Sequence, residues 1–185
     1  MYKKNILYLH GLGGRGDDYI GKELKKYLAF TKLYCPTLHP SSNIAIDSVS
    51  SLLKKDWDLI ITFSFGSLLL KENWSEKIAT PVIFINPLFE QTSYVNFFKY
   101  IPNFTTTPTS LYKIKKIDRD FFRNCISKNV AFSNKYLIYS NQDEVSDYSH
   151  LKKSELNIFK EVFALNEKHN IKDLSVIKSL VKRIL

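Results

Sequence analysis

The sequence predicts an α/β fold: a mostly parallel sheet of about six strands, with helices on both faces. Three observations predict it. Short runs rich in Ile, Leu, Val and Phe recur along the chain, they alternate with stretches whose apolar residues fall at helical spacing, and most of them halt at Gly, Pro or Asn. Strands joined by crossover helices are covered on both faces, so they read as continuously apolar runs.

Residues 5–9 form the first such run and break into His10-Gly11-Leu12-Gly13-Gly14, a strand opening into a glycine loop. Asp17 or Asp18 then caps a helix whose stripe is Ile20, Leu24, Tyr27 and Leu28. Residues 32–35 read as a second strand, closed by Pro36 and Pro40, and residues 44–53 as a helix through Ile46, Val49, Leu52 and Leu53. A third strand over 58–63 runs into Ser64, and the helix after it is expected to reach about residue 78. A fourth strand over 81–85 stops at Asn86-Pro87. Residues 88–130 break the alternation with aromatic and basic side chains, which reads as an insertion. Strands over 135–139 and 161–165, a helix near 148–159, and a closing helix from Asp173 with the stripe Leu174, Ile177, Leu180, Val181 and Ile184 complete the expectation.

A chain of 185 residues suits one domain over 1–185, burying roughly 70% of its unfolded surface without metal or disulfide staples. Cys35 and Cys125 lie far apart without metal-like spacing and are expected to be reduced thiols. The first apolar run is too short for a secretory core, and no stretch is long enough to span a membrane, so the protein is expected in the cytoplasm. The net charge of +9 raises nucleic acid as a partner, but lysine supplies 23 of the 27 basic residues and only four arginines are present. Arginine forks are what base and phosphate recognition favours, which argues against that class. An acidic protein partner fits the same charge.

The candidate chemistry centres on Thr62-Phe63-Ser64-Phe65-Gly66, directly after the third apolar run. A serine on a sharp strand-to-helix turn presents its hydroxyl above the sheet, with the first N–H groups of the helix beside it. Gly66 is the small residue that close approach of strand and helix requires; Thr62 stands where glycine is commoner. The N–H of Phe65 would stabilise an oxyanion, and that of Leu12, in the glycine loop, would be the second donor. Gly13-Gly14-Arg15-Gly16 lacks the Lys-Ser/Thr of a nucleotide loop, and no cofactor is expected. His10 reads as structural. Parallel sheets place their sites beyond the carboxyl ends of the strands. Two later strands end near Asp143 and His169, so His169 would take the serine proton and Asp143 would orient it. Glu144 and Asp147 are alternatives to Asp143, with Asp147 also suited to capping a helix at Tyr148. Ser67, His39 and His150 are weaker rivals by position.

Together these residues resemble the α/β-hydrolase superfamily, and within it the small bacterial esterases of the YqiA-like group. The marks are Tyr8-Leu9-His10-Gly11, Asn86-Pro87 after an apolar strand, the stretch from Gln142 to Tyr148, and the histidine ahead of a final amphipathic helix. The resemblance implies an α/β-hydrolase-like three-layer sandwich with a short cap over 88–130. It also implies nucleophile Ser64, acid Asp143, base His169 and oxyanion donors Leu12 and Phe65. The expected activity is a serine esterase cleaving an acyl ester or thioester through an acyl-enzyme, with Leu88, Phe89, Phe97 and Phe98 as an apolar wall for the acyl group. A variant expectation is an acyl ester borne by an acidic carrier protein, as in the pimeloyl-carrier methyl esterases, docked by Lys113, Lys115, Lys116, Arg119 and Arg123. A binding protein that turns nothing over is the alternative of another class, and a membrane-surface lipase is disfavoured by the lack of a helix with an exposed apolar face.

Overall fold

A computed structural model describes residues 3–12, 14–39, 42–73, 79–88, 134–149, 151 and 156–185. Six strands are formed: β1 (Asn5–Leu9), β2 (Lys32–Tyr34), β3 (Leu59–Phe63), β4 (Val82–Ile85), β5 (Lys135–Ser140) and β6 (Glu161–Leu165). They make one sheet in the order β2-β1-β3-β4-β5-β6, and every pairing is parallel. The α/β expectation is met, with strand ends shifted by a residue or so.

Alternation along the buried strands feeds two cores. Leu7, Leu9, Ile60, Val82, Phe84 and Leu137 face the side covered by α2 (Ser42–Leu53) and α3 (Phe65–Glu72). Ile6, Tyr8, Ile61, Phe63, Ile83, Ile85 and Ile138 face α1 (Tyr19–Tyr27) and α4 (Ser175–Ile184). Each face therefore buries a helix stripe, which makes three layers. On α4 that stripe is Ile177, Leu180 and Val181, as the spacing predicts.

Local chemistry sets the element ends. Asp18, not Asp17, caps α1: its Oδ1 accepts the Gly21 N–H at 2.7 Å while its carboxylate also takes the Tyr8 hydroxyl. The expected helix from Tyr148 does not begin there. Tyr148 is non-helical, its ring is buried, and its hydroxyl donates to the Pro87 carbonyl at 2.8 Å. Asp147 accepts the Ser149 N–H at 2.9 Å and so forms a turn where a helix cap was expected. Within that stretch, residue 150 and residues 152–155 lie outside the described residues, as do residues 74–78, where α3 was expected to end. No described helix is long and apolar enough to cross a membrane.

The chain runs from β1 to β2 in one direction and from β1's other flank through β3 to β6 in the opposite one. A crevice opens where such a sheet reverses direction, beyond the carboxyl ends of β1 and β3.

Candidate active site

Ser64 follows β3 and holds φ at 48°, left-handed backbone that costs a non-glycine residue on the order of 1–3 kcal/mol. What holds it there is visible. The Ser64 N–H donates to the Ile85 carbonyl at 3.0 Å, continuing the β3–β4 ladder past its end, and the Ser64 carbonyl accepts the Ser67 N–H at 3.0 Å, starting α3. Gly66 explains the turn's tightness: a Cβ there would lie 2.2 Å from the Leu9 carbonyl oxygen, so no side chain fits between α3 and β1. Thr62 is fully buried, and among the described residues its hydroxyl makes no hydrogen bond. Ser67 is excluded as a rival nucleophile, because its buried hydroxyl donates to the Ser64 carbonyl within its own helix turn.

The glycine loop after β1 lies against this turn. A Cβ on Gly11 would sit 3.4 Å from the Cβ of Ser64 and 3.1 Å from the Phe63 ring, so a bare backbone is what lets the loop approach Ser64 at Gly11. A Gly14 N–H to Gly11 carbonyl bond of 3.1 Å folds the loop, with Gly13 outside the described residues. His10 supports it from below. Its Nε2 accepts the Leu38 N–H at 2.8 Å, so Nδ1 carries the proton and donates to the Gly11 carbonyl at 2.7 Å. Burial pushes the His10 pKa below its ordinary value, partly opposed by the bond to Gly11, which suits a neutral, structural imidazole.

Asp143 and His169 come from the loops after β5 and β6, at the same edge of the sheet. The structure brings both to Ser64. His169 Nε2 lies 2.9 Å from Ser64 Oγ, and Nδ1 lies 2.8 Å from Asp143 Oδ2. Asp143 Oδ1 accepts the N–H groups of Val145 and Ser146, each at 2.8 Å, which fixes the carboxylate and directs Oδ2 at the ring. An Nδ1–H donor to Asp143 leaves Nε2 as the acceptor for the serine proton. Phe63 packs beside the imidazole, ring centres 5.2 Å apart. A cavity of about 430 Å³ is lined by Phe63 together with Asp18, Tyr19, Ile20, Asn170, Ile171 and Lys172.

Glu144, an alternative to Asp143, is not at the ring: its Oε2 accepts the His169 backbone N–H at 3.0 Å. Asp147 is committed to its turn. Leu88, expected in an acyl wall, is buried in the core on the α2/α3 face. Phe89, Phe97, Phe98, His150, Cys125 and the cluster of Lys113, Lys115, Lys116, Arg119 and Arg123 lie outside the described residues. Two contacts were not foreseen, the Glu144 bond and a bond from Asn86 Nδ2 to the His169 carbonyl at 2.6 Å. The only signal in the sequence was an asparagine ahead of proline at a strand end, which does not say where its amide points.

A scan against protein-family models finds none that matches, and a search of curated proteins finds no matching relative. Solved structures do match. A structure from work on epoxide hydrolases of the α/β-hydrolase superfamily in hot-environment metagenomes is 10% identical with a TM-score of 0.66, over 98% of this chain and 90% of that one. The fold is that of the α/β hydrolases. A structure from a study of carboxylesterases of the thaumarchaeon Nitrososphaera gargenis (17% identical, TM-score 0.64, 98% and 91% covered) shares it. So does the thioesterase domain of the curacin biosynthetic pathway (15%, 0.62, 97% and 91%).

Proposed function

We propose that the protein is a serine hydrolase acting on acyl esters or thioesters, with Ser64 as nucleophile, His169 as base and Asp143 as its orienting acid. The observation that carries this reading is the continuous line from Ser64 Oγ through both ring nitrogens to the Asp143 carboxylate, at 2.9 and 2.8 Å. Nε2 would take the hydroxyl proton as Oγ bonds to the acyl carbon. It would return that proton to the departing alcohol or thiol, leaving Ser64 acylated. Water would then add to the acyl carbon with Nε2 taking its proton, and cleavage of the acyl carbon–Oγ bond, with that proton passed from Nε2 to Oγ, would release the acid and restore the serine. The N–H groups of Leu12 and Phe65 are the proposed oxyanion donors. The contact of Gly11 with Ser64, and the place of Phe65 as the first residue of α3, support that assignment.

On this reading residues 88–130 act as a cap, with Phe89, Phe97 and Phe98 against the acyl group. In support, the chain leaves β4 beside the nucleophile, since the Ile85 carbonyl accepts the Ser64 N–H at 3.0 Å. The resemblance to the YqiA-like esterases points the same way through motifs alone.

The test is labelling by a fluorophosphonate together with turnover of p-nitrophenyl acetate. Labelling should be lost in Ser64→Ala and His169→Ala, each costing on the order of 10⁵–10⁶ in kcat, with about 10⁴ for Asp143→Asn. A wild-type chain that neither labels nor turns over would leave a binding protein on the same scaffold.

A further inference from the structure

His169 stands on the loop after β6, which among the described residues is an edge strand, paired only with β5. No described strand lies beyond it to hold the loop, yet a general base must stay within hydrogen-bond reach of its proton. Both backbone polar groups of His169 are instead held by side chains. Glu144 Oε2 accepts its N–H at 3.0 Å, and Asn86 Nδ2 donates to its carbonyl at 2.6 Å.

Asn86 is built for this place. It follows the last residue of β4 with φ at 40°, backbone that asparagine tolerates better than most side chains, and it is fully buried. Its Oδ1 accepts the Ser140 N–H at 2.8 Å, and since a backbone N–H can only donate, the amide's orientation is settled. Both amide hydrogens then face acceptors: the Ser140 hydroxyl at 3.0 Å and the His169 carbonyl. The Asn86 N–H itself is fixed to the Ile138 carbonyl at 2.8 Å. One residue earlier, the Ile85 carbonyl holds the Ser64 N–H at 3.0 Å. Consecutive residues of one strand end thus support both partners of the Ser64–His169 contact.

The geometry points to Asn86 as the positioning residue of His169: with Ile85 it gauges the distance between base and nucleophile. This rests on the roles proposed above for Ser64 and His169. Asn86 touches neither substrate nor reacting atom; it acts through the backbone of the base. Displacing a base by roughly 1 Å costs about 100-fold in rate, so that is the scale expected when the tether is cut.

The experiment compares Asn86→Gly, which keeps left-handed backbone accessible while removing the amide, with Ser140→Ala, which disturbs the same buried cluster but leaves the His169 carbonyl bonded. In Asn86→Gly, kcat for p-nitrophenyl acetate should fall on the order of 30- to 100-fold, per folded molecule, with KM changed less than threefold. The low-field proton resonance of His169 Nδ1–H, identified by its loss in Asp143→Asn, should weaken with it. Ser140→Ala should lower Tm but cost less than about threefold in kcat. Should Asn86→Gly fail to fold, Asn86→Asp keeps the shape and the Ser140 N–H bond while withdrawing the donor from His169, and the same losses are expected. Equal kcat losses in Asn86→Gly and Ser140→Ala, or an Asn86 variant within threefold of wild type, would overturn the inference while leaving the hydrolase reading intact. A wild-type chain that neither labels nor turns over would instead sink the hydrolase reading. The resonance then decides alone, and its persistence unchanged in Asn86→Gly refutes the tether.

Discussion

Gly66 stands where no side chain fits. The 2.2 Å between a hypothetical Cβ and the Leu9 carbonyl oxygen is far inside contact distance, and the atom it meets is sheet backbone, which cannot swing aside. Gly66→Ala should therefore separate α3 from β1 and destabilise the fold by about 1–3 kcal/mol, read as a lower Tm or denaturation midpoint. A variant as stable as wild type would mean that the turn relaxes without help from glycine. That need was legible, because a small residue two places after a serine at a strand end has a steric meaning. The placement of Thr62 was less so. Its sequence position marked a departure from the usual glycine, but only the structure shows it fully buried with its hydroxyl unbonded among the described residues. Asn86 and Glu144 were illegible as tethers, since chain spacing reports which loop a side chain sits on and not where its polar atoms point.

Among elements, α4 tests whether packing or surface charge holds the last helix in place. Its N-cap, Leu174, supplies no side-chain cap bond, while Ile177 is fully buried and Arg183 reaches Glu161 at 2.7 Å on an exposed face. Burial should dominate: Ile177→Ala should cost about 2–5 kcal/mol by denaturant titration, and Arg183→Ala, at a solvent-screened pair, much less. The reverse order would show that α4 is held mainly by its ion pair. Strands and helices with strong periodicity were readable to within a few residues for this reason, since a buried stripe fixes the element whatever its ends do. The start of the helix expected near 148–159 differs, because Tyr148, apolar at helical spacing, is non-helical. Its hydroxyl instead reaches back across the fold to Pro87, a contact between residues 61 apart that local pattern cannot encode.

For the whole molecule, Lys135 ties stability to pH. It is buried at the start of β5, its ammonium donates to the Thr80 carbonyl at 3.1 Å, and burial pushes its pKa down from 10.5 to about 8. Between those values the unfolded chain holds a proton that the folded chain has released, so this residue's cost is full below pH 8 and fades as pH rises towards 10.5. Lys135→Met should therefore gain most over wild type near pH 7, with the difference shrinking towards pH 10, by denaturation at each pH. A difference independent of pH would mean that the ammonium stays charged in the fold. At this scale the sequence was most informative. An all-parallel sheet puts every carboxyl strand end on one edge, so residues at three distant strand ends could be placed together by topology alone.

The sheet order also sets a timetable. The side chains of Ser64 and His169 are separated by 105 positions, and β4 pairs with a strand that begins only at Lys135. A ribosome emitting this chain would finish the serine turn, and the Ile85 carbonyl that steadies it, while the imidazole was still unsynthesised. On the proposed reading the nascent protein carries an unarmed hydroxyl, and reactivity switches on only when the last strand docks.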